Sequence, residues 1–174
     1  MAHFDAASAE CLVFTYKEGL LSLLAHDLKI RVTRFSLDGD EQPPAFTAVF
    51  DARSLRVIGA MENGVDAPQA LSAANKREIE QTIVREVLEA QSYPEIRFAA
   101  TAIQAKTAST FVVKGRLTLH GRTRAVTARV RRDGGSYVGE ARLHQTDFGI
   151  RPYSAMFGTL KVKPDVLVRI TVPA

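Results

Sequence analysis

The sequence predicts an all-β protein, a closed eight-stranded antiparallel barrel with one amphipathic helix packed outside it. Three observations carry that expectation. Most of the chain alternates apolar and polar residues with period 2 between turn signals. Two junctions, His120-Gly121 and Asp133-Gly134-Gly135, are short enough to force antiparallel pairing. One strand changes parity midway, which a curving sheet requires.

In chain order, Leu12, Phe14 and Tyr16 alternate in the first run, and Leu28, Ile30 and Val32 share a face in the second. The apolar positions then move to Phe35 and Leu37, so a β-bulge is expected near Thr33 or Arg34. A third, broken strand covers Phe46–Phe50 and Ser54–Ile58, and a fourth carries Ile96, Phe98, Ala100 and Ala102. The fifth is the cleanest, with Phe111, Val113, Gly115, Leu117 and Leu119 on one face. Turns then lead into Val126, Ala128 and Val130, and into Tyr137–Leu143; Val166, Val168, Ile170 and Val172 close the chain. One stretch reads as a helix: Asn75 with Glu78 resembles a capping box, Ile79, Ile83, Val87, Val84 and Leu88 form a stripe, and Pro94 ends it. Its stripe is expected on the outside of the sheet, covering an edge. Antiparallel strands in this number must stack as a sandwich or close as a barrel, and the parity change favours the barrel.

The 174 residues suit one domain spanning 1–174, and no stretch resembles a linker. A hydrophobic share of 46% supports a real core. Aromatics reach only 7% and Trp is absent, so any pocket is walled by aliphatic groups and Phe, which suits a flexible apolar guest. The net charge of +4 is concentrated: residues 110–151 hold Lys114, Arg116, Arg122, Arg124, Arg129, Arg131, Arg132, Arg142 and Arg151 against Asp133, Glu140 and Asp147. That surface reads as a solvated face protecting sheet edges, or as a contact for an anionic headgroup or acidic membrane. Cys11 is the only cysteine, so no intrachain disulfide forms and a reducing compartment is expected. Met1–Glu10 lacks the features of a leader, and the greasy stretch Leu20–Ala25 is too short to span a bilayer. The expected location is cytoplasmic, or periplasmic had a leader been removed.

Several stretches, in order, resemble the YceI-like family of lipocalin-like, polyisoprenoid-binding proteins. They are Ser92-Tyr93-Pro94-Glu95-Ile96-Arg97-Phe98, Val113-Lys114-Gly115-Arg116-Leu117-Thr118-Leu119-His120-Gly121 and Asp147-Phe148-Gly149-Ile150, with Phe50-Asp51 before Ser54-Leu55. The resemblance runs over about residues 8–172. It implies an eight-stranded barrel, often dimeric, whose channel holds a long-chain lipid such as a polyisoprenoid, a quinone or a fatty amide. The segment Leu24-Ala25-His26-Asp27-Leu28 suggests a divergent branch.

The residues point the same way. An eight-stranded barrel has an interior just wide enough for side chains or one slender ligand. Gly115, Gly139 and Ala141 are small wall positions that would leave room, unless neighbouring Phe residues fill it. The expected ligand-binding residues are Phe14, Leu28, Ile30, Val32, Phe35, Phe98, Phe111, Val113, Leu117 and Leu119, with His26, Arg151 and Tyr153 at the mouth, joined by Met156 as a loop candidate. His26 and Asp27 are the nearest thing to a catalytic pair, but adjacent strand residues face opposite ways. His120 is expected to stabilise its turn, and His144 to lie on a wet face. No nucleophile elbow, phosphate loop or compact metal motif is present in the sequence, so no cofactor or metal is expected. The expected function is binding, sequestering or transporting a long-chain apolar ligand, as a possible homodimer with at most peripheral membrane contact and no nucleic acid. The alternatives are a lipid-directed enzyme using His26 with Arg151, and a filled interaction or stress-related barrel.

Overall fold

The computed structural model of the chain describes residues 1–19, 25–41, 44–155, 158 and 160–174. In order they form β1 (Ala2–Asp5), β2 (Glu10–Thr15), β3 (Lys17–Glu18), β4 (Asp27–Val32), β5 (Phe35–Glu41), β6 (Pro44–Asp51), β7 (Leu55–Glu62) and β8 (Val65–Ala67). Helix α1 (Ala73–Thr82) follows and runs into a π-helical turn, Ile83–Val87. Then come β9 (Glu95–Ala105), β10 (Thr110–Leu119), β11 (Arg122–Asp133), β12 (Ser136–His144), a 3-10 turn at Gln145–Phe148, β13 (Ser154–Ala155), β14 (Leu160–Val162) and β15 (Asp165–Pro173).

Twelve strands make one strongly curled antiparallel sheet, in the order β1-β5-β6-β9-β10-β11-β12-β15-β2-β4-β7-β8. A second, small sheet joins β13, β14 and β3. The strand count exceeds eight partly because two long runs each break at a bend. Between β4 and β5 the chain turns at Thr33–Arg34, and between β6 and β7 at Ala52–Ser54. The bends sit side by side: the Thr33 N–H donates to the Ser54 carbonyl at 2.9 Å and the Asp51 N–H to the Arg34 carbonyl at 3.0 Å. Short β1 and β8 add two more strands at the sheet's ends.

The parity change is thus absorbed by a two-residue kink at Thr33–Arg34, not by a bulge there. The bulge lies elsewhere: Lys29 pairs with Gly59 and Ile30 with Val57, which leaves Ile58 as the extra residue on β7. A second register shift, at Lys114/Gly115, leaves Thr101 unpaired on β9.

The helix departs from expectation in two ways. Its N-cap is Ser72, not Asn75, and Ser72 and Asn75 form the reciprocal capping box. Its stripe faces inward: Ile79, Ile83 and Leu88 pack on the core cluster that holds Ile30, Val32, Phe50 and Leu55. It does cover an edge. The Val57 N–H, on the side of β7 beyond its pairing with β8, donates to the Glu80 carboxylate at 2.8 Å. A second cluster, Leu117, Leu119, Phe148 and Ile150, packs against Val87, Leu88 and Ile96.

Candidate functional site

Inside the curl lies a cavity of about 750 Å³. Its walls are alternate residues of successive strands, because side chains one apart point to opposite faces. Ile30 and Val32 contribute from β4, Val126, Ala128 and Val130 from β11, and Val168 and Ile170 from β15. Along β10 the wall runs from Phe111 to Leu119; at about 3.3 Å per residue that is roughly 26 Å, the length of an extended chain rather than a compact ring system.

Of the residues singled out by sequence, Leu28, Ile30, Val32, Phe98, Phe111, Val113, Leu117 and Leu119 all line this one cavity. Phe14 does not. It is buried, 7% exposed, on the opposite face of β2, where the Arg169 guanidinium lies over its ring at 4.8 Å. The inward residues of β2 are Cys11, Val13 and Thr15. Leu12 and Phe14 are as apolar as Cys11 and Val13, so alternation could not choose the face. Phe35 is also absent from the lining; it stacks on Phe50 at 5.8 Å, and Phe50 forms the wall. Ile79 and Ile83 of the helical segment line it too, because the helix turns its apolar stripe toward the cavity.

Gly115 does not open space. A Cβ there would overlap the Phe98 ring and come within 2.5 Å of the Ala99 carbonyl oxygen, so Phe98 occupies the gap. Gly139 and Ala141 do line the cavity.

At one end the wall becomes polar. His26 is exposed and lines the cavity, as do Lys17 and Tyr153. Arg151 is exposed and stands off the lining. Met156 and Leu20–Leu24 lie outside the described residues. Asp27 is turned away from His26, and its carboxylate accepts the Lys17 backbone N–H at 2.8 Å. The two side chains therefore form no acid–base pair. Among the described residues no three His, Cys, Asp or Glu side chains gather as a metal site. Burial pushes the Cys11 thiol up to about 12, so in the wall it behaves as a small apolar group.

Lys114, Arg116, Arg129, Arg131 and Arg142 occupy the outer face of β10–β12, which are inner strands of the sheet and not its edges, whereas Arg122, Arg124 and Arg132 pair with Leu119, Leu117 and Tyr137 at the ends of β11 and share their face. Glu140 on that face binds Arg131 and Arg169, each at 3.3 Å.

His120, which adopts a left-handed φ of 54°, ties together the stretches quoted above. One ring nitrogen donates to the Phe148 carbonyl at 3.2 Å, the other meets the Glu89 carboxylate at 2.6 Å, and its ring lies 4.5 Å from that of Tyr93. Gly121 leaves room for Tyr93, and Gly149 for the Arg122 guanidinium. These residues brace the sheet's end and its turn; they do not enter the cavity lining.

An antiparallel sheet curled around a long apolar cavity defines a lipocalin-like class of protein. Within that class the chain belongs to the YceI-like family, whose domain matches residues 8–174. No curated protein matches it in sequence. Among solved structures it is similar to Burkholderia cenocepacia BcnA, with a TM-score of 0.67, 16% identity and 98% of each chain covered. It is also similar to a polyisoprenoid binding domain from Saccharophagus degradans implicated in plant cell wall breakdown (TM-score 0.58, 11% identity, 99% of this chain and 97% of that one). A third is the Campylobacter jejuni YCEI protein (TM-score 0.57, 12% identity, 83% and 82%). At these identities the likeness establishes the fold.

Proposed function

We propose that the chain binds a long-chain apolar ligand, an isoprenoid, a quinone or an acyl lipid, inside the sheet and holds or carries it there. The observation that carries this reading is the cavity of about 750 Å³, walled by aliphatic and Phe side chains from six or more strands and bordered by the polar side chains of Lys17, His26 and Tyr153. Its volume lies within the range of small-molecule sites. The Saccharophagus relative described as polyisoprenoid-binding supports the choice of ligand class.

We further propose that the sheet functions as a closed eight-stranded barrel. If β4–β5 and β6–β7 are each taken as one bent strand, the ring reads β2, β4–β5, β6–β7, β9, β10, β11, β12, β15 and back to β2. The paired bends at Thr33–Arg34 and Ala52–Ser54, hydrogen-bonded to each other, support that closure.

Burial drives the binding. At about 25 cal/mol per Å², a guest burying about 400 Å² of apolar surface gains on the order of 10 kcal/mol before ordering costs. Catalysis has less to stand on, because the Asp27 carboxylate accepts the Lys17 N–H and His26 has no orienting partner among the described residues. The reading is tested by native mass spectrometry and organic extraction of gently purified protein. A long-chain lipid at near one per chain is expected; repeated preparations that yield an empty protein, and that take up none of the three lipid types on incubation, would overturn it.

A further inference from the structure

We infer that the polar end of the cavity is a binding site for an acidic head, formed by Lys17, His26 and Thr15, so that the guest is a long-chain acid rather than a neutral lipid. The inference rests on the cavity reading above and narrows its ligand class.

The placement follows from register. β2 pairs with β4 as Leu12↔Arg31, Val13↔Ile30, Phe14↔Lys29 and Thr15↔Leu28. The same spacing carried past Thr15 sets Lys17 beside His26, and the bond from the Lys17 N–H to Asp27 holds the two segments together there. Cys11, Val13, Thr15 and Lys17 then form one row along the wall, ending in a hydroxyl and an ammonium, while the row on β4 ends in the His26 imidazole.

Two features of that end call for a partner the described residues do not supply. The Thr15 hydroxyl oxygen is buried and has no hydrogen-bond partner among the described residues, a costly arrangement unless something else pairs with it. Lys17 makes no ion pair among the described residues, whereas Lys161, beside the Val162 that pairs with Lys17, is held by Glu18 at 3.4 Å. Of the nearby carboxylates, Asp27 is taken by the backbone, and Glu78 reaches the lining from α1. The Thr15 hydroxyl, the Lys17 ammonium and a His26 ring N–H are all donors. A carboxylate or phosphate monoester accepts from all three and carries the counter-charge that Lys17 lacks among the described residues; an alcohol carries none.

The test uses the full chain loaded with a fluorescent apolar dye, displaced by hexadecanoate, hexadecyl phosphate or hexadecanol, with acetate and inorganic phosphate as chainless controls. Both long-chain acids are expected to displace the dye at concentrations about tenfold or more below the alcohol, as a charge-assisted contact implies. That preference should weaken as salt is raised, and it should collapse in Lys17→Met. Thr15→Val should weaken the acids and spare the alcohol. Equal displacement by acids and alcohol overturns the head site while leaving the apolar cavity reading intact, and a preference undiminished in Lys17→Met overturns the residue assignment. Displacement by inorganic phosphate alone shows that head and chain are not read together and also overturns the inference. If none of the three long-chain probes displaces the dye, the cavity reading falls and takes this one with it.

Discussion

The Phe98 ring lies where a Gly115 side chain would stand, and the Ala99 carbonyl closes the same space from the backbone. Gly115→Ala is therefore expected to cost about 1–3 kcal/mol or more, since neither neighbour can yield without moving a wall strand; urea unfolding of the two proteins measures it. Cys11 gives a second expectation at this scale. It is 1% exposed and its thiol is pushed up to about 12, so a disulfide-exchange reagent at mildly alkaline pH should modify the folded chain orders of magnitude more slowly than the urea-unfolded chain. Rapid labelling of the folded protein would show that the wall opens there. Individual residues were the least legible part of the sequence. Phe14 and Cys11 lie in rows on opposite faces of β2 that a one-residue slip would exchange, both faces are apolar, and only the pairing Val13↔Ile30 decides which row faces inward. Gly115 was legible as a missing side chain but not as a seat for a ring two residues away in register, because the shift between Lys114 and Gly115 sets Phe98 opposite Leu117, on the same face as Gly115.

Elements were more legible, because their signals are repeated over many residues. The parity change from Val32 to Phe35 marked the place but suggested a bulge where the chain kinks; nor could it show that Ser54 fastens the bend. Ser54 is fully buried, accepts the Arg34 N–H at 3.1 Å and donates to the Asp51 carbonyl at 2.8 Å, so one hydroxyl joins both bent strands. Ser54→Ala leaves these groups unpaired in a dry corner and should cost about 1–3 kcal/mol in equilibrium unfolding. The same corner gives a pH dependence. Burial opposes ionisation of Asp51, but the Arg53 backbone and guanidinium bonds and the Arg34 guanidinium outweigh it and hold the carboxyl below its usual range. A carboxyl lowered in the folded state adds stability above its unfolded value, and that stability is lost as pH falls through the folded value. Asp51→Asn should therefore flatten the fall of stability below about pH 4, with unfolding followed across that range; an unchanged slope would count against the corner as its origin. The helix shows the limit of pattern reading. Its stripe was legible at Ile79, Ile83 and Leu88, yet a stripe has no label for which side of a sheet it meets, and here it meets the inside.

At the scale of the whole molecule, an unfilled cavity of about 750 Å³ is a store of lost packing contacts, so the empty protein stands below the stability its fold could reach. A guest that binds only the folded state restores them; at one hundred times its dissociation constant it would add about 2.7 kcal/mol. Filling the space covalently has the same effect on packing and the opposite effect on binding. Ala128 lines the cavity between Val126 and Val130 and pairs with Val113 across β10, so Ala128→Leu places added methyl groups in the lumen without touching the outer face. It should raise the melting temperature of the delipidated protein and abolish the further rise that a long-chain ligand produces in the parent chain. Paired thermal melts with and without ligand separate the two effects. A variant that melts lower and still responds to ligand would mean that the guest sits elsewhere and that the curl encloses a packed wall, not a site.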